Sequence, residues 1–283
     1  MLYVDSNHKL IRYIYPNDCF GEYDFIISKK KSNFTIKSKT ESTYLIIYKN
    51  DSKNLLKNKV ISKRLNKLLF IRHNKIHINN FYLYSYLGRM NYSTSFYIHD
   101  KINIFKLKIY QKKDLINNQK LMQHIYNEKI VSLSVDGQNF SKGITTYKDK
   151  DNYYLLSEYI KGQNFKEFLS MRNELLNELE IQFYFANIIN IIEYLHYNRI
   201  IHRNIQPSSF ILNTSGYLQL NEYLTCKIIN NKNNRTNTIV GCPYYMSPEI
   251  IKGLDYTFSS DFWTLGVCLF ELTYGYYPFG NFV

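Results

Sequence analysis

Residues 201–209 are Ile-His-Arg-Asn-Ile-Gln-Pro-Ser-Ser, and they follow a stretch of helical apolar spacing over residues 177–198. Two further motifs come after this loop in the chain. Residues 241–249 are Gly-Cys-Pro-Tyr-Tyr-Met-Ser-Pro-Glu, and residues 259–267 are Ser-Ser-Asp-Phe-Trp-Thr-Leu-Gly-Val. Three motifs in a fixed order are a much more specific signal of a fold than any one of them alone.

The three motifs resemble those of the eukaryotic protein kinase family, where they are H-R-D-L-x-x-x-N, G-T-P-x-Y-x-A-P-E and S-x-D-x-W-x-x-G-V. The resemblance covers residues 81–283. It implies an α+β fold with two lobes, in which an antiparallel sheet and one regulatory helix precede a mostly helical lobe that lacks its last helices. It also implies that Asp261 anchors the backbone of the loop at 201–209.

The same resemblance assigns residues to ATP. Residues 105–109, Phe-Lys-Leu-Lys-Ile, resemble the V-A-I-K strand, so Lys108 is expected to contact the ATP phosphates and Glu128 to be its ion-pair partner. In the glycine-rich loop, at residues 87–95, only Gly88 is kept. Because glycine lets a backbone approach phosphate closely, the loss of the other glycines is expected to weaken ATP binding.

The segment that resembles the adenine-binding hinge is Leu-Leu-Ser-Glu-Tyr at residues 155–159. This resemblance gives Glu158 and Ile160 to ATP. It also puts Ser157 at the gatekeeper position, where a small side chain is expected to leave a roomy adenine pocket.

The departures from the family pattern fall on the chemistry. Beside a retained Arg203, Asn204 replaces the Asp that serves as catalytic base, and Ser209 replaces the Asn that holds Mg²⁺. Glu222 takes the D-F-G Asp position, so Glu222 and Ser209 are the candidate metal ligands. An amide cannot act as a carboxylate base, and losing a general base alone costs about 10²–10⁴ in rate. We therefore expect weakened ATP and Mg²⁺ binding and impaired phosphotransfer, as in a pseudokinase.

Two alternative functions remain open at this point. One is a slow but active ATP-dependent Ser/Thr protein kinase that retains residual transfer through Lys108 and Glu222. The other is a basic interaction module. The net charge of the chain is +13, and residues 1–80 contain 16 Lys or Arg and 6 Asp or Glu. In this alternative, residues 29–75 would bind an acidic surface.

A regulatory position follows from the kinase resemblance. Residues 235–241, Arg-Thr-Asn-Thr-Ile-Val-Gly, resemble the activation loop of AGC-type kinases. Thr238 falls at the phosphorylation site of that loop, and Arg203 is the residue that would receive the phosphate.

An amino-terminal motif resembles the phosphate cassette of cyclic-nucleotide-binding domains: Phe-Gly-Glu-Tyr-Asp-Phe-Ile at residues 20–26. The resemblance assigns Gly21 and Glu22 to the ribose and phosphate of the cyclic nucleotide. It puts Lys31 at the position that pairs with the cyclic phosphate, and Ser32 after it matches the pattern of cGMP-selective sites. Lysine keeps the charge of the family's arginine but not its bidentate fork. Together with the AGC-like motifs, this cassette makes the chain resemble a cyclic-GMP-dependent protein kinase.

These resemblances predict three parts. Residues 1–57 are a partial cyclic-nucleotide-binding β-roll, residues 58–80 a linker helix, and residues 81–283 the kinase-like domain, with truncation at both ends. Without the helices that normally follow, apolar residues such as Leu265 and Leu269 are expected to lack cover.

The spacing of apolar residues predicts how strands and helices alternate along the chain. Strands are indicated where apolar residues alternate, and helices where they recur every three or four residues. The predicted strands lie within 8–48, 81–110 and 140–160, and the predicted helices are 51–70, 112–133, 165–171, 177–198 and 259–274.

Cysteine usage favours the cytoplasm, because Cys19, Cys226, Cys242 and Cys268 are scattered and form no C-x-x-C pair. No apolar run reaches the roughly 18 residues of a membrane span, and the first residues lack the pattern of a signal peptide. We expect a protein partner or protein substrate. We expect no nucleic acid, because the chain contains no nucleic-acid-binding signature. The oligomeric state stays open.

Overall fold

Two units can be distinguished in the chain, residues 1–80 and residues 81–283, and each is described by itself. The computed structural model describes residues 2–6, 9–14, 35–38, 81–90, 92–116, 118–229 and 235–279. The strands of the first unit are β1 (Leu2–Ser6), β2 (Lys9–Ile14) and β3 (Thr35–Ser38). They pair antiparallel in the order β2-β1-β3.

Most predictions for the first unit fall on residues that are not described. β2 and β3 lie within the region predicted to form strands, and β1 precedes it. Outside the described residues lie the helix predicted over 51–70, the linker over 58–80, and the cassette residues Gly21, Glu22, Lys31 and Ser32.

The second unit begins with an antiparallel sheet of five strands. These are β4 (Tyr82–Met90), β5 (Ser93–His99), β6 (Ile104–Gln111), β7 (Gly143–Lys148) and β8 (Asn152–Glu158). Their order is β4-β5-β6-β8-β7, so β6 is the central strand. Because side chains alternate between the two faces of a strand, Lys106 and Lys108 of β6 share a face.

The helix beside this sheet starts later than predicted. Helix α1 is Gln119–Ser134, whereas the apolar spacing predicted a helix over 112–133, and Lys112–Asp114 form a short 3₁₀ turn instead. Asn118 ends the preceding loop, because its side-chain oxygen accepts a hydrogen bond from Leu121 N at 2.9 Å. Such an N-cap satisfies a backbone donor that would otherwise be unpaired and fixes where the helix begins.

The remainder of the second unit is mainly helical, with short strands between the helices. The helices are α2 (Phe165–Ser170), α3 (Glu178–Tyr197), α4 (Pro248–Ile251) and α5 (Ser259–Tyr274), with 3₁₀ turns at Pro207–Ser209 and Pro243–Tyr245. The strands are β9 (Gly162–Asn164), β10 (Ile200–Ile201), β11 (Phe210–Asn213), β12 (Leu218–Leu220) and β13 (Lys227–Ile228). The helices predicted over 165–171, 177–198 and 259–274 agree with α2, α3 and α5 to within one residue. The sheet with α1 and the helical remainder match the expected α+β fold.

The core of the helical part forms around α3 and α5. Leu265 of α5 is only 7% exposed and Leu269 is half-buried, so the expectation that Leu265 lacks cover is wrong. The large apolar side chains that this helix exposes are instead Phe262, Trp263 and Tyr274, at 63%, 38% and 53%. The buried face of α3 carries Ile188, Ile191, Ile192 and Leu195, at the spacing of successive helical turns.

The described residues contain neither a membrane-spanning helix nor a disulfide bond. None of their helices combines the length and the apolar character needed to cross a lipid bilayer. Cys226, Cys242 and Cys268 are free thiols there, and Cys19 lies outside the described part of the chain.

We expect replacement of Asn177 to weaken helix α3. Its side chain accepts a hydrogen bond from Glu180 N at 3.0 Å, and the Glu180 carboxylate accepts one from Asn177 N at 2.9 Å, which together form a capping box. Asn177→Ala should lower the free energy of unfolding by about 1 kcal/mol, as measured by urea unfolding. Asn177→Ser is the matched control and should keep most of the stability. An alanine variant as stable as the original chain would contradict this role.

Candidate active site

A buried ion pair joins the central strand of the sheet to α1. Lys108 Nζ lies 2.9 Å from Glu128 Oε1, and the two side chains are only 4% and 3% exposed. Tyr110, two residues along the same face of β6, donates its hydroxyl to the other oxygen of the Glu128 carboxylate. The structure therefore brings together the lysine and the glutamate that the sequence analysis paired.

Glu222 has both carboxylate oxygens in contact with lysines. Its Oε2 lies 2.9 Å from Lys108 Nζ, and its Oε1 lies 3.0 Å from Lys106 Nζ. Burial raises the pKa of a carboxyl group, but the two ammonium groups outweigh it and lower the pKa of Glu222 to about 2. Burial lowers the pKa of Lys108, yet Glu128 and Glu222 raise it well above its ordinary value. The result is a continuous chain of alternating charges.

Lys106 is the site residue that sequence analysis missed. It occupies the position of the Ala in V-A-I-K, and the signal that could have found it is the spacing, since lysines two apart in a strand share a face. Its side chain is 8% exposed, lies opposite Ser157 of β8, and also donates to Asn221 O at 3.3 Å. Lys106 thus occupies the side of the site where the adenine pocket was expected.

The cavity at this position is too small for a nucleotide base. It has a volume of about 10 Å³ and is lined by residues that include Lys106, Leu155, Ser157 and Tyr223. A cavity of that size holds about one water molecule, whereas small-molecule sites are usually about 300–1,000 Å³. The expectation of a roomy pocket beside Ser157 is wrong, because the space that Ser157 and Lys106 line together holds only about one water molecule.

The residues present do not fit a Mg²⁺ ion. Both oxygens of Glu222 already contact ammonium groups. The other candidate ligand, Ser209, is 2% exposed and donates its hydroxyl to Asn204 O at 3.0 Å. Among the described residues, no group of three or more His, Cys, Asp or Glu side chains could hold a metal ion.

The other residues that the kinase resemblance assigned to ATP, Gly88, Glu158 and Ile160, lie in the sheet and in the hinge that follows it. Glu158 N donates to Lys142 O at 2.8 Å, and Glu158 O accepts from Ser141 Oγ at 3.1 Å. Ile160 is 7% exposed. Gly88 lies within β4 with a φ of 133°, a conformation that residues with a Cβ rarely adopt. The hinge backbone at Glu158 is therefore engaged inside the protein.

Asn204, at the position of the catalytic base, has a structural role. Its Oδ1 accepts a hydrogen bond from Cys242 N at 2.8 Å, which ties the loop to the segment that follows residues 235–241. Gly241, with a φ of 117°, permits this approach, because a Cβ there would lie 2.5 Å from Arg203 O. The amide oxygen of Asn204 thus joins two segments of backbone.

Asp261 fixes the backbone of the catalytic loop, residues 201–209. Its carboxylate is fully buried and accepts hydrogen bonds from His202 N at 2.9 Å and from Arg203 N at 2.8 Å. His196 Nε2 lies 2.7 Å from the same carboxylate. Arg203 has a φ of 68°, a left-handed conformation that is strained for a residue other than glycine. The hydrogen bonds to Asp261 are what hold this strained turn in place.

The side chain of Arg203 is directed toward the residues before and within the activation loop. Its Nε donates to Thr225 O at 2.5 Å, and one guanidinium nitrogen lies 3.3 Å from the hydroxyl of Tyr256. Tyr256 in turn donates to Thr238 O at 2.5 Å. Arg203 thus reaches the backbone of Thr238 through Tyr256.

Two further basic side chains, those of Lys227 and His124, lie near Arg203 and were missed in the sequence. Burial and the charge of Arg203 both lower the pKa of Lys227, and the same two causes lower the pKa of His124. Lys227 Nζ lies 2.7 Å from the hydroxyl of Thr236, which is buried, and that hydroxyl lies 3.3 Å from the hydroxyl of Thr238. The threonine in direct contact with a lysine is therefore Thr236.

Comparison with known proteins decides the family. A family model described as the protein kinase domain matches residues 82–282. The chain belongs to the protein kinase family. Kinases of this family generally use ATP with Mg²⁺ and act on proteins, and the departures described above lie in those parts of the kinase domain.

The relatives of this kinase domain point to the cyclic-GMP-dependent, AGC-like type. The cGMP-dependent protein kinase of Toxoplasma gondii is 28% identical over 278 residues, which are 98% of this chain and 27% of the relative. That of Plasmodium berghei (strain Anka) is 28% identical over 281 residues, 98% of this chain and 32% of its own. The protein kinase C zeta type of Oryctolagus cuniculus is 30% identical over 205 residues, 71% of this chain and 34% of its own. The chain is thus similar to Ser/Thr protein kinases and spans about a third or less of these relatives' lengths.

The charge chain of the kinase domain predicts a specific acid sensitivity. Because the pKa of Glu222 is about 2 in the folded state and higher when unfolded, its contribution to stability is complete above the unfolded pKa of about 4.3. That contribution is lost as the pH falls toward 2. Glu222→Gln should flatten the pH dependence of unfolding in this window and lower stability at neutral pH, as measured by urea unfolding at several pH values.

The matched control is Glu193→Gln, which changes an exposed carboxylate of α3. It should leave the acid limb of the stability curve unchanged. If Glu222→Gln and Glu193→Gln gave the same curve, the ion pairs of Glu222 would contribute nothing to stability.

Proposed function

We propose that this chain is a pseudokinase of the cyclic-GMP-dependent, AGC-like type that acts as a regulatory or scaffold protein by binding a protein partner. The observation that carries the proposal is the state of Asn204. It has no carboxylate, and its amide oxygen accepts a hydrogen bond from Cys242 N at 2.8 Å. A substrate hydroxyl meeting this position would find no group that can take its proton.

The contacts that hold the kinase fold around Asn204 support a role in binding a partner in place of catalysis. Asp261 keeps the loop in its strained conformation, and Lys108 and Glu128 keep α1 against the sheet. These contacts preserve the surface of a kinase domain without requiring the chemistry. The free, buried thiols of Cys226 and Cys268 suit the reducing cytoplasm that we propose as its location.

We expect the purified chain to show no phosphotransfer. Transfer of radiolabelled γ-phosphate to itself and to general Ser/Thr substrates should stay at the level of a Lys108→Ala variant, because loss of a general base costs about 10²–10⁴ in rate. The Lys108→Ala protein serves as the blank for contaminating kinases. Transfer by the original chain clearly above this blank would overturn the pseudokinase proposal.

A slow, active Ser/Thr kinase is the alternative that such a result would support. The observation in its favour is the Lys108–Glu128 pair at 2.9 Å. Kinase activity requires that pair. The third alternative is a basic interaction module over residues 29–75, of which the structure describes only Thr35–Ser38. Binding that weakens steeply with added salt would support it.

We also propose that the amino-terminal part is derived from a cyclic-nucleotide-binding region. In this proposal residues 1–57 are a partial β-roll, residues 58–80 a linker helix, and residues 81–283 the kinase-like domain. The support is that relatives named cGMP-dependent protein kinases align over 98% of this chain. Any cGMP would be held by the cassette at Gly21 and Glu22, with the charge supplied by Lys31 beside Ser32.

Thr238 is proposed as a regulatory phosphorylation site. A phosphate on its hydroxyl would lie near the cationic side chains of Arg203 and Lys227, with His124 beside them. Phosphates opposite such clusters gain about one to three charge-assisted hydrogen bonds and order the segment that carries them.

Phosphothreonine at position 238 is therefore expected to raise the unfolding temperature. The rise should be about 2–4 °C for each kcal/mol gained in a domain of this size, and calorimetry on protein with phosphothreonine incorporated at this position measures it. Lys227→Met should remove part of the rise because it removes one phosphate partner. An unchanged unfolding temperature would contradict the proposal, and so would native phosphate found on Thr236 in place of Thr238.

A further inference from the structure

We infer that Lys106 is the residue that excludes ATP and Mg²⁺ from this kinase domain, and that it takes their place as the partner of Glu222. The inference rests on the proposed function, because it explains how a pseudokinase could keep an ordered site with no nucleotide. The inference concerns the binding of nucleotide and metal ion, whereas the pseudokinase proposal concerns phosphotransfer. The two can therefore fail separately.

The position of Lys106 lets its side chain reach Glu222. Lys106 and Lys108 project from the same face of β6, and Lys106 lies opposite Ser157 on β8. From there its ammonium group reaches Glu222 Oε1 at 3.0 Å and Asn221 O at 3.3 Å. The side chain therefore crosses from the hinge side of the site to the place where a metal ion would meet Glu222.

The charges around Glu222 balance one another. Along Lys106, Glu222, Lys108 and Glu128, each contact joins a cation to a carboxylate at 2.9 or 3.0 Å. Two positive and two negative groups balance, so the cluster needs no ion from solution. A divalent cation at Glu222 would lie beside two ammonium groups, and like charges at such distances repel strongly where water is excluded.

Little space is left beside Lys106. The cavity beside Lys106 is about 10 Å³, although three of its lining residues, Ser132, Ser141 and Ser157, are small and buried. Small walls would leave a large pocket if nothing filled it. The side chain of Lys106 is 8% exposed and occupies the space between these serines. Removing it beyond Cβ should open a space bounded by these serines.

The consequence is a site that is closed without a ligand. The Lys108–Glu128 pair that a kinase needs for activity is already formed, with Lys106 supplying the second cation for Glu222. The kinase domain would then present one conformation to a partner whatever the nucleotide concentration. Lys106 is in this sense the specificity-determining residue of the site, since it rejects the ligand that its family uses.

The test compares the original chain with Lys106→Ala and Lys106→Met in calorimetric titrations with adenosine, with ATP and with Mg²⁺-ATP. The alanine variant opens the cavity and removes the charge, whereas methionine removes the charge but keeps most of the volume. We expect no binding by the original chain at any ligand concentration titrated. Lys106→Ala should bind adenosine and Mg²⁺-ATP with a Kd at least about tenfold below the highest concentration at which the original chain shows no binding. Lys106→Met should bind adenosine no better than the original chain.

Lys113→Ala is the matched control, because Lys113 is an exposed lysine of the same lobe. It should behave as the original chain does. A cooperative unfolding transition establishes that each variant is folded. If Lys106→Ala fails to fold, the charge-balanced double variant Lys106→Ala with Glu222→Gln is titrated with adenosine, which needs no metal ion.

Two results would overturn the inference. One is Mg²⁺-ATP binding by the original chain with the same Kd as Lys106→Ala, which would show that Lys106 moves aside freely. The other is a folded variant with the cavity opened that binds no adenosine. Neither result touches the pseudokinase proposal, which fails only if the original chain transfers phosphate. Binding by Lys106→Ala with no transfer would support both.

Discussion

A largely buried chain of four charged side chains constrains the arrangement of this kinase domain. Lysine and glutamate are almost never fully buried unless they are paired, and here Lys106, Glu222, Lys108 and Glu128 pair with one another. The central strand supplies both lysines, while α1 and the segment after β12 supply the carboxylates. Three elements must therefore keep their mutual distances. Removing one partner of a buried pair leaves an uncompensated charge, which is strongly destabilising.

The second constraint is the hydrogen bonding that holds the loop at residues 201–209. It keeps the backbone of a kinase in place without requiring a catalytic base. Asp261 holds the backbone of His202 and Arg203 through hydrogen bonds that do not depend on which residue follows. Asn204 can accept the N–H of Cys242 because an amide oxygen, like a carboxylate oxygen, is a hydrogen-bond acceptor. It cannot accept a proton from a substrate. Replacing Asp by Asn here is therefore compatible with the fold and incompatible with general-base catalysis.

Long helices with a strong apolar period were predictable from sequence. The residue at which a capped helix begins, and burial against other elements, were not. Helix α5 has the predicted limits, because its apolar residues recur over four turns. Helix α1 begins at Gln119 because Asn118 caps it, and the apolar spacing before that point does not register a cap. The burial of Leu265 depended on packing against other elements, which periodicity along one helix does not describe.

The sequence by itself determined the family, through ordered motifs, and it determined that Asn204 and Ser209 stand where the family motif has Asp and Asn. It also paired Lys108 with Glu128, because the motif carries that pairing. Only the tertiary structure decided that Lys106 pairs with Glu222. Its partner Glu222 is 116 positions away, and no local pattern encodes which distant carboxylate a lysine will meet. That choice is made by packing, which brings separate segments together and leaves a buried charge stable only where it finds a partner.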